Sequence, residues 1–364
     1  YFYWGNIQMA KLMMKGNEAM ALAALKGGCK AFFGYPITPQ SELPEYLSRY
    51  MRDYGGVFLQ AESEIAAINM VYGASAAGVR VMTSSSSPGI ALKQEGISYM
   101  AGSELPGVII NVMRGGPGLG GIQPSQADYK QVTRGGGNGD YYCLAFAPES
   151  LQETVDIIKE SFDLSDIYRN PVMIAVDGLI GQMMEPVDVD KEIKKRWIPE
   201  NNWATNATMG QRQRRIVNSL YLNTPELEAH CIHLHHKYQK MKENEQRYEI
   251  VHGEDAEIII VAYGTMARIC RSAIEELREQ GIKVGLLRPI SIWPYPEKAF
   301  DNLSSTVKGL LVCELSMGQM LDDVKIANKG RLPISFFGRS GGMIPETEEI
   351  MNAVIKMREG LVNE

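Results

Sequence analysis

The sequence predicts an α/β fold in which an open, doubly wound parallel sheet is followed by a second α/β unit. Three observations predict it. Short, continuously apolar runs recur along the first half, as strands buried on both faces of a parallel sheet require. Helix-length amphipathic stretches separate them, the β-α-β-α order of right-handed crossovers. A polar, charged segment after Pro186 interrupts this pattern, which resumes near Ala256.

A helix is expected over Glu18–Lys26, which Asn17 can cap and Gly27 can end. The first strand is then Ala31–Tyr35. A helix over Gln40–Asp53 leads to a strand at Val57–Ala61, and one over Glu64–Ala77 leads to Arg80–Ser84. Gly89–Ala101 should be helical before the strand Val108–Met113. Tyr141–Phe146, the helix Glu149–Leu164 and Val172–Asp177 complete this unit. Lys191–Trp197 is charged, Asn201–Gly210 is turn-rich, and Pro225–Arg247 reads as an exposed helix dense in His, Lys and Glu. The second unit places strands at Glu257–Ala262, Lys283–Leu287, Gly309–Cys313 and Pro333–Phe337, with its main helix over Met266–Gln280. The implied division is an N-terminal extension over 1–14, a first domain over 15–190, a charged helical linker over 191–250 and a second domain over 251–364. Residues 1–8, ahead of Met9, read as an appendage and carry no fold argument.

A chain of 364 residues exceeds what one compact core usually holds. Lys and Arg number 37 against 43 Asp and Glu, a net charge of −6, so there is no electrostatic case for nucleic acid or an anionic membrane. No apolar run approaches the ~18 residues that span a bilayer. The five cysteines are scattered without a C-x-x-C pair, which gives no metal or iron–sulfur ligand set and suits a reducing cytoplasm. There is no GxSxG elbow, Walker A loop or HExxH helix.

Ligands of an open parallel sheet bind beyond the carboxyl ends of its strands, so the residues following each strand carry the chemistry. After the first comes Tyr35-Pro36-Ile37-Thr38-Pro39, in which Thr38 suits a helix N-cap and Pro39 a first turn. That geometry would seat a carboxylate, although from spacing alone a Pro-rich turn with a capping Thr is the preferred reading. After the second comes Gln60-Ala61-Glu62-Ser63-Glu64. Glu64 is either an acid complementing the helix dipole or a half-buried carboxylate that exchanges a proton with a ligand. Four serines, Ser84 to Ser87, follow the third strand. They cannot all be core, and form either a solvated turn or a hydroxyl-lined wall. After the fourth, Arg114 precedes Gly115-Gly116-Pro117-Gly118-Leu119-Gly120-Gly121. The formal G-x-G-x-x-G match has the wrong context for a dinucleotide site, with a proline inside it and Gln123-Pro124 where a helix should start. Arg114 itself can grip a carboxylate with two prongs, or form a surface ion pair. On the linker helix His230 and His233 share a face, and with His235 and His236 they are a candidate metal set; they lie in a charged linker with no strand end to support them, so a solvated face is the preferred reading.

Together, and in this order, Tyr35-Pro36-Ile37-Thr38-Pro39, Gln60-Ala61-Glu62-Ser63-Glu64, Thr83-Ser84-Ser85-Ser86-Ser87-Pro88-Gly89 and Asn111-Val112-Met113-Arg114-Gly115-Gly116-Pro117-Gly118 resemble the alpha subunit of 2-oxoacid:ferredoxin oxidoreductases. The likeness is greatest to the 2-oxoisovalerate (branched-chain) type, with 2-oxoglutarate and pyruvate enzymes as alternatives. Gly264-Thr265, Leu287-Arg288-Pro289-Ile290 and Glu314-Leu315-Ser316-Met317-Gly318-Gln319 resemble the transketolase-type C-terminal domain of that family.

The resemblance implies a thiamine-diphosphate pyrimidine-binding domain followed by a transketolase C-terminal-like domain. It implies that Glu64, nine residues before Gly73, bonds the cofactor's aminopyrimidine ring, with Glu62 its competitor. Tyr35, Pro36 and Ile37 would line the cofactor; Thr38 and Arg114 would hold the oxoacid carboxylate, with Ser86 and Ser87 in the same pocket. A separate beta subunit would carry the diphosphate, magnesium and an iron–sulfur cluster, with ferredoxin as acceptor and coenzyme A taking the acyl group. This chain holds no metal in that scheme and is inactive alone, in the cytoplasm. A thiamine enzyme without redox chemistry, or a non-enzymatic ligand-binding module, are the competing readings.

Overall fold

The computed structural model describes residues 11–206 and 209–362; the appendage expected over 1–8 lies outside them. The chain begins β1 (Leu12–Lys15), α1 (Gly16–Lys26), β2 (Ala31–Gly34), α2 (Glu42–Tyr50), β3 (Val57–Gln60), α3 (Glu64–Ala76), β4 (Val81–Ser85), α4 (Ser87–Gly102) and β5 (Gly107–Met113). Next come α5 (Tyr129–Arg134), β6 (Leu144–Phe146), α6 (Leu151–Tyr168), β7 (Pro171–Asp177), α7 (Gly178–Gln182) and β8 (Met184–Val187). After a long coil follow α8 (Thr224–Asn244), β9 (Tyr248–Val251), β10 (Ile258–Val261), α9 (Gly264–Glu279), β11 (Val284–Pro289), β12 (Ser291–Trp293), α10 (Lys298–Asp301), β13 (Gly309–Glu314), α11 (Met320–Asn328), β14 (Ile334–Gly338) and α12 (Thr347–Val362).

The first sheet has the order β12-β6-β7-β5-β4-β2-β3 and is parallel except at β12. Its central strands β5 and β7 are buried along their whole length, as their unbroken apolar sequences require. On one face α1 packs with α2 and α6; on the other α3 packs with α4. Consecutive strands β3 and β4 lie on opposite sides of β2, so the sheet changes winding direction between β2 and β4. Such a reversal opens a crevice at the strand ends. The second sheet, β14-β13-β10-β11-β9, is parallel except at β9. The predicted α/β class and parallel first sheet are what the chain forms.

Two capping expectations are corrected. Asn17 does not cap α1: the cap position is Lys15, and the Gly16 amide reaches the Met183 carbonyl at 3.0 Å. Fully buried Asn17 instead donates to the Pro39 carbonyl at 2.8 Å and to Glu42 Oε2 at 2.7 Å, tying α1 to α2. Thr38 and Pro39 do not open a helix either, because α2 starts only at Glu42 after the Ser41 cap position. Gly27 does end α1, and the chain then turns through Gly28 at φ 90°.

The two units are interlocked. β12, from the second half of the sequence, pairs antiparallel with β6 and completes the first sheet. Beside it, α8 docks a stripe of Leu234, Tyr238 and Met241, and Tyr238 stands edge-on to Tyr142 and Trp293. Arg288 on β11 reaches back to Glu153 on α6 at 2.8 Å. Tyr129 donates to Asp323 Oδ2 at 2.5 Å. Buried Gln126 uses both ends of its amide across the gap, donating to the Tyr263 carbonyl at 2.8 Å and accepting from the Leu315 amide at 2.9 Å. Gln126→Ala leaves the Leu315 amide unpaired and takes one of two donors from the Tyr263 carbonyl, which also accepts from the Ala267 amide at 3.2 Å, and is expected to destabilise the fold by about 1–3 kcal/mol. Chemical denaturation measures this, and an unshifted midpoint would show that the clamp contributes nothing.

Candidate functional site at the sheet's winding reversal

α3 starts cleanly at Ser63, whose Oγ accepts from the Ala66 amide at 3.1 Å. Glu64 follows in the first turn and is 7% exposed, whereas Glu62 is exposed. The two acids that the sequence leaves in competition therefore sit in different environments. Across from Glu64 lies Gly89, in the first turn of α4: a Cβ there would fall 2.7 Å from Glu64 Oε1 and 2.1 Å from Ser85 Oγ. The carboxylate rests against bare backbone, and among the described residues it has no hydrogen-bond or ion-pair partner.

All four serines are buried, which corrects the expectation that they could not all be core. Ser84 donates to Gln40 Oε1 at 2.5 Å. Ser87 donates to Asp128 Oδ2 at 2.6 Å and accepts from the Arg114 amide at 3.0 Å, so its hydroxyl is tied into the framework. The hydroxyls of Ser85 and Ser86 are buried without partners, as is Nε2 of Gln40. Such orphans are costly unless something else bonds them. Sequence reading missed Asn111 and Asp128. Asn111 receives the Ser87 amide at 3.1 Å and donates to Asp128 at 2.9 Å. Burial pushes the Asp128 carboxyl up, against the pull of those two donors and Arg114. The signal for Asn111 was an amide side chain inside an otherwise apolar strand.

Arg114, 7% exposed, follows β5 directly. Its Nη1 donates to the Thr38 carbonyl at 2.9 Å and its Nη2 to the Leu119 carbonyl at 3.0 Å; Nε has no partner. Thr38 and Arg114 are thus brought together, with Thr38 exposed beside the guanidinium. The glycine loop folds back through Gly118 and Gly120 at positive φ and leaves Leu119 81% exposed; no helix starts until Tyr129. Ile37 is half-buried. Tyr35 and Pro36 border a separate cavity of about 290 Å³ with Phe32, Pro44 and Phe58, and neither Glu64 nor Arg114 lines it. His230 and His233 do share a face of α8; their ring nitrogens meet the Gly102 carbonyl at 2.7 Å and Glu104 at 3.0 Å.

Glu64, with the orphan hydroxyl of Ser85 and the bare backbone of Gly89 beside it, fits one end of a flat, nitrogen-bearing ring. These residues offer no set of anionic side chains for a diphosphate-bound metal, and no group of three or more His, Cys, Asp or Glu is placed to hold one among the described residues. Gly89→Ala drives a methyl into the space of the Glu64 carboxylate and should weaken thiamine diphosphate binding by about 10–100-fold in the assembled protein. An unchanged dissociation constant would show that Gly89 does not shape the acid's position.

Comparison with known proteins extends this geometry. Residues 22–252 match the family model "Pyruvate flavodoxin/ferredoxin oxidoreductase, thiamine diP-bdg", and residues 256–350 match "Pyruvate:ferredoxin oxidoreductase core domain II". The chain is 47% identical over 348 residues to the ketoisovalerate oxidoreductase subunit VorB of Methanothermobacter thermautotrophicus, covering 95% of this chain and 97% of that one. It is 35% identical over 371 residues to the 2-oxoglutarate synthase subunit KorA of the same organism, covering 94% and 98%. Among solved structures it resembles the 2-oxoglutarate:ferredoxin oxidoreductase of Magnetococcus marinus, with a TM-score of 0.85 and 26% identity, over 95% of this chain and 65% of that one. A split-gene transketolase shares the fold alone, with a TM-score of 0.60 and 15% identity, over 94% of this chain and 97% of that one.

Proposed function

Since the chain belongs to the pyruvate flavodoxin/ferredoxin oxidoreductase family, as a subunit of the 2-oxoacid:ferredoxin type, we propose that it supplies the pyrimidine-binding half of a thiamine diphosphate site for CoA-dependent oxidation of a branched-chain 2-oxoacid. The oxoacid and coenzyme A become acyl-CoA, CO2 and one proton, and two electrons pass singly to ferredoxin. The observation that carries the reading is Glu64, a buried acid at the winding reversal with no hydrogen-bond or ion-pair partner among the described residues and the orphan hydroxyl of Ser85 beside it. Supporting the branched-chain choice is the higher identity to the ketoisovalerate subunit than to the 2-oxoglutarate one.

When bound, thiamine diphosphate supplies an electron sink for the carbon–carbon bond that breaks. Glu64 would hold a proton at the ring nitrogen of its pyrimidine, which favours the basic imino form of the ring's exocyclic amine. The hydroxyl of Ser85 would offer that end of the ring a hydrogen bond in a water-poor crevice. Thr38 and Arg114 orient the oxoacid carboxylate through the exposed hydroxyl and the unpartnered Nε–H. A looser grip there serves catalysis better than a tight one, because the bound carboxylate departs as CO2. The diphosphate, magnesium and an iron–sulfur cluster come from a beta subunit in a cytoplasmic assembly.

Co-expression with that beta subunit tests the reading, by CoA-dependent reduction of a viologen dye with several 2-oxoacids. The assembled protein should prefer 2-oxoisovalerate to 2-oxoglutarate by about 10–200-fold in kcat/KM, the range that apolar pocket contacts supply. This chain alone should reduce no dye. Reduction that needs no coenzyme A, or NAD binding by the isolated chain, would overturn it.

A further inference from the structure

The helix that presents Gly89 to Glu64 carries, one turn later, a lysine with no access to water: Lys93 is 0% exposed. Residues four apart on a helix share a face, so Lys93 points the same way as Gly89, into the layer between α3, α4 and β4. Its ammonium donates to Thr83 Oγ1 at 3.2 Å. Thr83 and Ser85 are two apart on β4 and therefore share a face of the sheet. Two rungs result. On the upper one, Glu64, Gly89 and Ser85 meet; on the lower one, Lys93 and Thr83 meet.

A lysine in such a place demands a reason. Lysine is almost never fully buried without a partner, and a single hydroxyl satisfies one of its three donor protons. An apolar side chain of similar length would fill the space without that cost. The elements packed against α4 supply one charge that acts on the ammonium, the Glu64 carboxylate of α3. Gln94 is neutral and bonds the Gly136 amide, and Glu95 faces outward to Tyr99. Asp128 lies at the start of α4 but is held by Ser87 and Asn111 and answers to Arg114.

We propose that Lys93 is a positioning residue that acts as buried counter-charge to Glu64, biasing the shared proton away from the carboxylate and toward the base that faces it. The inference rests on Glu64 serving a cofactor ring, and adds what sets the strength of that acid. A nearby cation favours the charged form of a carboxylate. Burial pulls Lys93 down to about 8, opposed by the Glu64 charge. The ammonium is therefore charged at neutral pH, and its support for Glu64 is lost as the pH rises through that value.

The experiment titrates the Glu64 carboxyl by difference infrared spectroscopy in the assembled complex freed of cofactor, with Glu64→Gln identifying the band. Lys93→Met, which keeps the length and removes the charge, should raise the carboxyl midpoint by about one to two pH units. In the loaded complex, kcat should fall several-fold with KM for the oxoacid unchanged. Lys93→Arg should restore both. If Lys93→Met does not assemble, Thr83→Val provides the measurement: it frees the ammonium from its anchor and should move the same midpoint by a smaller amount. An unmoved midpoint in the variant measured overturns the proposal while leaving the role of Glu64 intact. Full activity of Glu64→Gln would instead overturn the role of Glu64, whatever the midpoint does.

Discussion

Glu64→Gln in the assembled complex is expected to lower kcat by about 10²–10⁴-fold, the span of a lost general acid–base step. Glutamine keeps the shape and a hydrogen bond but cannot hand over a proton. The variant breaks no hydrogen bond or ion pair among the described residues, but it removes the one charge that acts on the buried Lys93 ammonium, so its thermal midpoint should fall modestly while the complex still assembles. Glu64→Asp should fall nearly as far, since a side chain one methylene shorter withdraws from the crevice. Steady-state dye reduction measures the rates. A Gln variant within about threefold of wild type would remove the proton-transfer role, a tenth or less of the effect such a role carries.

Arg114→Ala is expected to raise KM for the 2-oxoacid by about 10–100-fold, the cost of one or two charge-assisted hydrogen bonds. KM for coenzyme A should stay where it is. The alanine also strands the Thr38 and Leu119 carbonyls, which Arg114 holds at 2.9 and 3.0 Å, so part of the loss comes from a slackened loop. Arg114→Lys separates the two effects: it keeps the charge without the planar spread of donors, and should fall between wild type and alanine. Equal rises in both KM values would assign Arg114 to the framework instead of the substrate.

The parts of the fold that the sequence announced were those governed by burial on two faces. Val108–Met113 and Val172–Asp177 are apolar without a break and became the paired centre of the first sheet. The loops that follow the strands were equally readable, because strand ends alone told where Thr38, Glu64, the serines and Arg114 would gather. What escaped were choices made by tertiary partners. Asn17 has the chemistry of a cap, yet a free carbonyl at Pro39 and an acid at Glu42 offered it better company. Four serines left a solvated turn and a hydroxyl-lined wall both open, because the partners that bury Ser84 and Ser87, Gln40 and Asp128, come from distant segments. Lys93 falls inside the helix expected over Gly89–Ala101, and the sequence does not distinguish it from a solvated position. Only the placement of α3 across from α4 reveals that no water reaches it. β12 is three residues long and has no periodicity to read.

That three-residue strand has a consequence for synthesis. The first sheet's outer flank stays open until residue 293 is available, so a nascent chain leaving the ribosome carries an incomplete β6 edge while the whole linker is being made. Cutting the gene between its two halves would make that temporary opening permanent, and each fragment would present a sticky border to its neighbours.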